Sequence, residues 1–214
     1  PNNQPPFYLK EPFDNVYEIV QADDFLAKNE RQNGGISGAT IGVTDMEASL
    51  RFYSEILGYD TPVYDKTDVF SDLNGLPNGD ARFRRVLLNQ SKPRQCAFSP
   101  LLGSSQIELV QDLSRTPHKM FKDRLWGDLG FIHLCFDVRN MSDLKTKCID
   151  EGHPFTVESD PDFDMGEAAG RFSYIEDPDG ALIEFVETHK VPILKKINWY
   201  LNLKNRKADK PLPN

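Results

Sequence analysis

Two stretches of this 214-residue chain follow one order of elements, a strand, a helix and three more strands, at an offset of 95 residues. Val43 falls on Val138, Asp45 on Asn140 and Met46 on Met141 at that offset. Repetition this regular restricts the chain to folds assembled from copies of one supersecondary unit. In the first copy Ala39–Val43 reads as a strand. Asp45 is a good N-cap for a helix over Met46–Leu57, with apolar spacing at Leu50, Tyr53, Ile56 and Leu57, and Gly58 closes it. Strands are expected at Thr61–Tyr64, Arg82–Leu88 and Gln106–Gln111, with a long Gly, Pro, Asn and Asp-rich loop over 65–80. In the second copy the strand is Phe131–Val138. Asn140 or Ser142 caps a helix that runs to about Glu151, and strands follow near Phe155–Val157, Arg171–Ile175 and Ala181–Glu187.

A carboxylate recurs in one strand frame. Glu184 sits in D-P-D-G-A-L-I-E-F-V-E, Glu108 in Q-I-E-L-V-Q and Glu18 in E-P-F-D-N-V-Y-E-I-V-Q. An acidic side chain centred in an apolar strand is costly unless something compensates its charge. The stretch 7–21 reads as a hairpin that matches the end of the second copy, Tyr8 with Tyr174, Pro12 with Pro178 and Glu18 with Glu184. A lone hairpin is marginally stable in water, so residues 1–21 read as the remnant of a preceding module that needs another sheet edge. A homodimer through this hairpin would supply one. Residues 22–35 read as a linker ending in Asn33-Gly34-Gly35, and 189–214 as a basic tail whose I-L-K-K-I-N-W-Y-L suggests a short amphipathic helix.

The net charge of −8 argues against a general nucleic-acid partner, which wants a basic surface. No apolar run reaches membrane-spanning length. Three cysteines without a C-x-x-C read as reduced thiols of a cytoplasmic protein.

The residues Ile41–Tyr59, His133 within F-I-H-L-C-F-D-V, and E-D-P-D-G-A-L-I-E-F from Glu176 to Phe185 resemble the vicinal oxygen chelate superfamily. That superfamily includes glyoxalase I, extradiol dioxygenases and bleomycin or fosfomycin resistance proteins. The likeness covers 36–188, as modules 36–113 and 129–188. It implies an α+β fold in which paired βαβββ modules form a curved, open barrel-like mixed sheet with helices outside. It also implies a divalent metal, Zn, Ni, Co, Mn or Fe, held by the first and last strands of each module. Carried over, the ligands are Glu108, His133 and Glu184. The fourth position, five residues before Val43 as His133 is five before Val138, is Gly38, which offers no ligand atom.

The pattern is closest to glyoxalase I. The resemblance therefore implies a metal-dependent isomerase or lyase acting on a small vicinal-oxygen substrate through an enediolate, with Glu184 as both ligand and base. An extradiol-type dioxygenase wants a second His, expected at position 38. A bleomycin-resistance-like protein would bind a small molecule without catalysis. The same residues also admit a purely structural reading, with His133 a satisfied strand histidine and each glutamate paired with Arg82, Arg84, Arg85 or Arg171. Cys135 should share a strand face with His133 and reads as packing. His118, His153 and His189 read as non-ligands. The acidic loop 159–167 reads as a solvated lid.

Overall fold

The computed structural model describes residues 6–21, 35–92, 97–99, 104–119, 121–161, 163–164, 169–207, 210 and 212. The linker expected over 22–35 thus lies outside the described residues except for Gly35. The chain divides into two units, Pro1–Lys92 with Leu102–Ile132, and Pro93–Leu101 with His133–Asn214.

The first unit opens with the expected hairpin, β1 (Phe7–Lys10) and β2 (Val16–Ile19), a two-stranded sheet in which Tyr8 lies opposite Glu18. Then come β3 (Gly38–Gly42), α1 (Met46–Glu55), β4 (Thr61–Asp68), a 3-10 turn over Ser71–Leu73, β5 (Phe83–Asn89) and β6 (Gln106–Asp112). Their sheet has the order β3-β6-β5-β4, with β3 parallel to β6 and the other pairs antiparallel. Asp45 caps α1 by accepting the Ala48 N–H at 3.0 Å. The helix buries Met46, Phe52 and Tyr53, with Ile56 and Leu57 just beyond its end. Gly58 leaves the helix at φ 74°, a conformation that strains any residue with a Cβ. The stretch expected as loop after Tyr64 begins instead as strand, because β4 stays paired with β5 as far as Asp68.

The second unit repeats the order with β7 (His133–Asp137), α2 (Met141–Asp150), β8 (Val157–Glu158), β9 (Phe163–Asp164), β10 (Ala169–Glu176) and β11 (Leu182–Leu194). Here β7 runs parallel to β11, and β10 is antiparallel to it. Ile175, Ile183, Phe185, Met141 and Cys148 are buried in its core. The described strands form three separate sheets.

The tail corrects the sequence reading. It is no helix: β11 continues through Val191, Pro192 and Ile193, a 3-10 turn spans Lys195–Ile197, and β12 (Trp199–Asn202) returns antiparallel to β11. Three features favour this outcome. β-branched Val191 and Ile193 suit a pleated surface, the pairing shifts register between Pro192 and Leu194, and Asn198 turns the chain at φ 53°.

The start of α2 is held from the sheet. Asn140 has left-handed backbone angles and makes no side-chain cap. Its N–H donates to Glu187 Oε1 at 2.6 Å, and Arg171 Nε donates to Glu187 Oε2 at 2.7 Å. Burial pushes the Glu187 carboxyl upward, but Arg171 and the Asn140 N–H outweigh it and hold the group below its ordinary value. A carboxyl depressed in the folded state adds stability above its unfolded value, lost as pH falls through the folded one. Urea unfolding should therefore show wild type losing stability below about pH 4.3 more steeply than Glu187→Gln. Parallel pH curves would contradict this role.

Candidate functional site

In the second unit the strand pairing brings together two of the three predicted residues, His133 and Glu184. The parallel register sets His133 beside Leu182 and Cys135 beside Glu184, so His133 and Glu184 emerge on one face two residues apart. His133 Nε2 lies 2.9 Å from Glu184 Oε2. Tyr174 sits directly opposite Glu184 on β10. Its hydroxyl donates to the Glu184 carboxylate, and its ring meets the His133 ring edge-on with centroids 5.6 Å apart. Burial, then this bond to a carboxylate, raises the Tyr174 hydroxyl above its ordinary pKa, so it remains a donor. The side chains of His133 and Glu184 stay 27% and 15% exposed, which leaves the pair within reach of solvent. The Cys135 thiol also hydrogen-bonds Glu184. Cys135 is exposed rather than packed in the core, but local desolvation and then the Glu184 charge push its thiol up to about 12, so it is no thiolate nucleophile at neutral pH.

Glu108, in the first unit, has a different environment. It is 4% exposed. Arg85 Nε donates to its Oε1 at 2.7 Å, the Tyr64 hydroxyl donates to the same oxygen, and Thr40 Oγ1 approaches Oε2 at 3.4 Å. Arg85 in turn donates through Nη1 to Asp72 at 2.6 Å, and its guanidinium lies 4.9 Å from the Phe70 ring centroid. Burial works against the Arg85 charge, but Glu108 and Asp72 prevail and hold it as a cation.

The two units can be compared position by position. Arg85 pairs with Val110, two residues after Glu108, and Phe172 pairs with Val186, two residues after Glu184. An arginine and a phenylalanine thus occupy the same place in the two sheets. Among the described residues, His133 is the one basic side chain paired with Glu184. Of the arginines considered from sequence, Arg85 pairs with Glu108, whereas Arg171 pairs with Glu187.

The comparisons with known proteins agree with this architecture. The family described as Glyoxalase/Bleomycin resistance protein/Dioxygenase superfamily matches residues 35–185, well over half of the chain. The chain belongs to this superfamily. A glyoxalase family protein from Bacillus cereus is similar in structure, at a TM-score of 0.54 and 18% identity, over 76% of this chain and 97% of that one. A glyoxylase/bleomycin resistance protein/dioxygenase domain from Frankia sp. EAN1pec gives 0.50 and 19%, over 73% and 99%. At such identities the likeness shows the fold. No curated protein matches the chain.

Members of the glyoxalase superfamily commonly use divalent metals, so the donors present here can be tested for fit. The donor types of the His133–Glu184 pair, an imidazole nitrogen and a carboxylate oxygen, suit a divalent transition metal, and at 2.9 Å the two bond each other directly. Among the described residues, no group of three or more His, Cys, Asp or Glu side chains is arranged as a metal site.

Sequence reasoning did not single out Tyr64 or Tyr174 as partners of the glutamates. Tyr174 could have been found, because it stands ten residues before Glu184 as Tyr8 stands ten before Glu18. Tyr64 reaches Glu108 from the next strand but one, and no local spacing signals that.

Gly38 is the register equivalent of His133. It opens β3 beside Gln106, as His133 opens β7 beside Leu182. A Cβ built there would lie 2.2 Å from the Gln106 carbonyl oxygen, so the backbone itself closes this ligand position. Gly38→Ala should lower unfolding free energy by about 2 kcal/mol, read by urea denaturation. Unchanged stability would show that β3 shifts freely.

Proposed function

We propose that the chain is a glyoxalase-like metal-dependent isomerase or lyase acting on a small substrate with two neighbouring oxygens. The observation that carries this reading is the His133–Glu184 pair at 2.9 Å. It is partly exposed on adjacent strands of one module, and among the described residues Glu184 is paired with His133 where Glu108 is paired with Arg85. In this reading His133 Nε2 and a Glu184 oxygen hold a divalent metal. When bound, that ion supplies Lewis-acid stabilisation of the negative charge that develops on the substrate oxygens.

The other roles fall to the chain's own groups. Glu184 takes the proton from the carbon beside the carbonyl and returns it to the neighbouring carbon. Tyr174 donates to Glu184 and fixes the orientation of the carboxylate. Cys135, kept as a thiol, is a second donor to the same carboxylate. Glu108 is assigned no ligand role in this reading, because Arg85 and Tyr64 already engage it.

A second reading, a small-molecule binding protein of the bleomycin-resistance kind, draws support from the closed ligand position at Gly38. Metal content separates the two. After exhaustive dialysis, wild type should retain about one equivalent of a first-row transition metal, and His133→Ala should lose it. Ni, Zn or Co would then direct assays to isomerisation, and Fe to ring cleavage. Wild type that stays metal-free after reconstitution would overturn the enzyme reading and leave the binding protein.

A further inference from the structure

The N-terminal hairpin faces the first unit the wrong way round for hydrophobic burial. Its register places Phe7, Leu9, Tyr17 and Ile19 on one face and Tyr8 and Glu18 on the other. The apolar face is the outward one, with Phe7 59%, Leu9 49% and Ile19 43% exposed. The polar face turns inward. Arg85 Nη2 donates to the Tyr8 hydroxyl at 3.3 Å, and that hydroxyl donates to Glu18. On the outward face Tyr17 meets the Phe131 ring edge-on with centroids 5.7 Å apart, while Phe7, Leu9 and Ile19 stay exposed, and the inward polar partners link the hairpin to β5.

The pair that turns inward is the repeated one. Tyr8 opposite Glu18 in the hairpin reproduces Tyr174 opposite Glu184 in the second unit. In the first unit, therefore, two glutamates of the same repeated frame, Glu18 and Glu108, approach one cation. Burial, and then the charge of Glu108, raises the Glu18 carboxyl above its ordinary value. Arg85 completes the arrangement with a direct bond to Glu108, a second to Asp72, and a third to the Tyr8 that carries Glu18.

We infer that Arg85, through Tyr8, clamps the N-terminal hairpin onto β5 and β6. The guanidinium suits this role because its donors point in several fixed directions and it stays charged when buried. Arg85 is thus a positioning residue, and the first unit binds its hairpin where the second unit offers its glutamate to a ligand.

Two measurements on the full chain test it. Amide hydrogen exchange should rise about tenfold in residues 7–10 and 16–19 of Tyr8→Phe, the worth of one hydrogen bond to a charged group. Exchange in β5 and β6 should stay unchanged. Hairpin exchange equal to wild type would overturn the clamp.

The second measurement uses Arg85→Lys, which keeps one charge but loses the fork. Its hairpin exchange should rise as in Tyr8→Phe, and wild-type hairpin exchange in that variant would overturn the clamp.

Discussion

A carboxylate in the middle of an apolar strand has to be compensated, and the organisation of both units follows from how that is done. The cost of leaving such a charge unpaired reaches several kcal/mol. Each repeated glutamate receives a tyrosine hydroxyl: Tyr8 for Glu18, Tyr64 for Glu108 and Tyr174 for Glu184. A hydroxyl orients a carboxylate and supplies one donor, but it does not neutralise the charge. What neutralises it differs between the units, and the proposed division of labour rests on that difference.

One sheet position sets the two apart. Arg85 and Phe172 hold equivalent places, and only the first carries a charge. With the guanidinium in place, Glu108 is sealed and its strand becomes part of a packed, paired interior. With a phenylalanine there, Glu184 keeps His133 as its basic partner and stays open to solvent. The fold is common to both, as expected when function resides in sites carried by a shared scaffold. No described helix is long and apolar enough to cross a membrane.

Much of this was legible in the sequence because the signals were local and repeated. The 95-residue offset located both modules, Asp45 and Gly58 marked the ends of α1, and the strand frame singled out Glu108, His133 and Glu184. The Tyr8–Glu18 match anticipated a hairpin like β10–β11. The remainder depended on long-range pairing. Any of four arginines could have met a glutamate, and only the β5–β6 register selects Arg85 for Glu108. Tyr64 is brought to Glu108 across two strand spacings. The tail misled for a related reason: its basic and apolar residues fit a helical face, but an open edge of β11 recruits them as β12.

In the proposed reading, glutamates of one repeated frame serve opposite ends, Glu184 offered to a ligand and Glu108 committed to Arg85. Comparing Glu184→Gln with Glu108→Gln, for bound transition metal and for unfolding free energy, tests it most directly. Glu184→Gln should lose the metal with little change in the stability of the metal-free protein. Glu108→Gln should keep the metal but lose about 3 kcal/mol of stability, the cost of breaking a buried ion pair from one side. Loss of metal in Glu108→Gln with unchanged stability would contradict the account and return Glu108 to the ligand set.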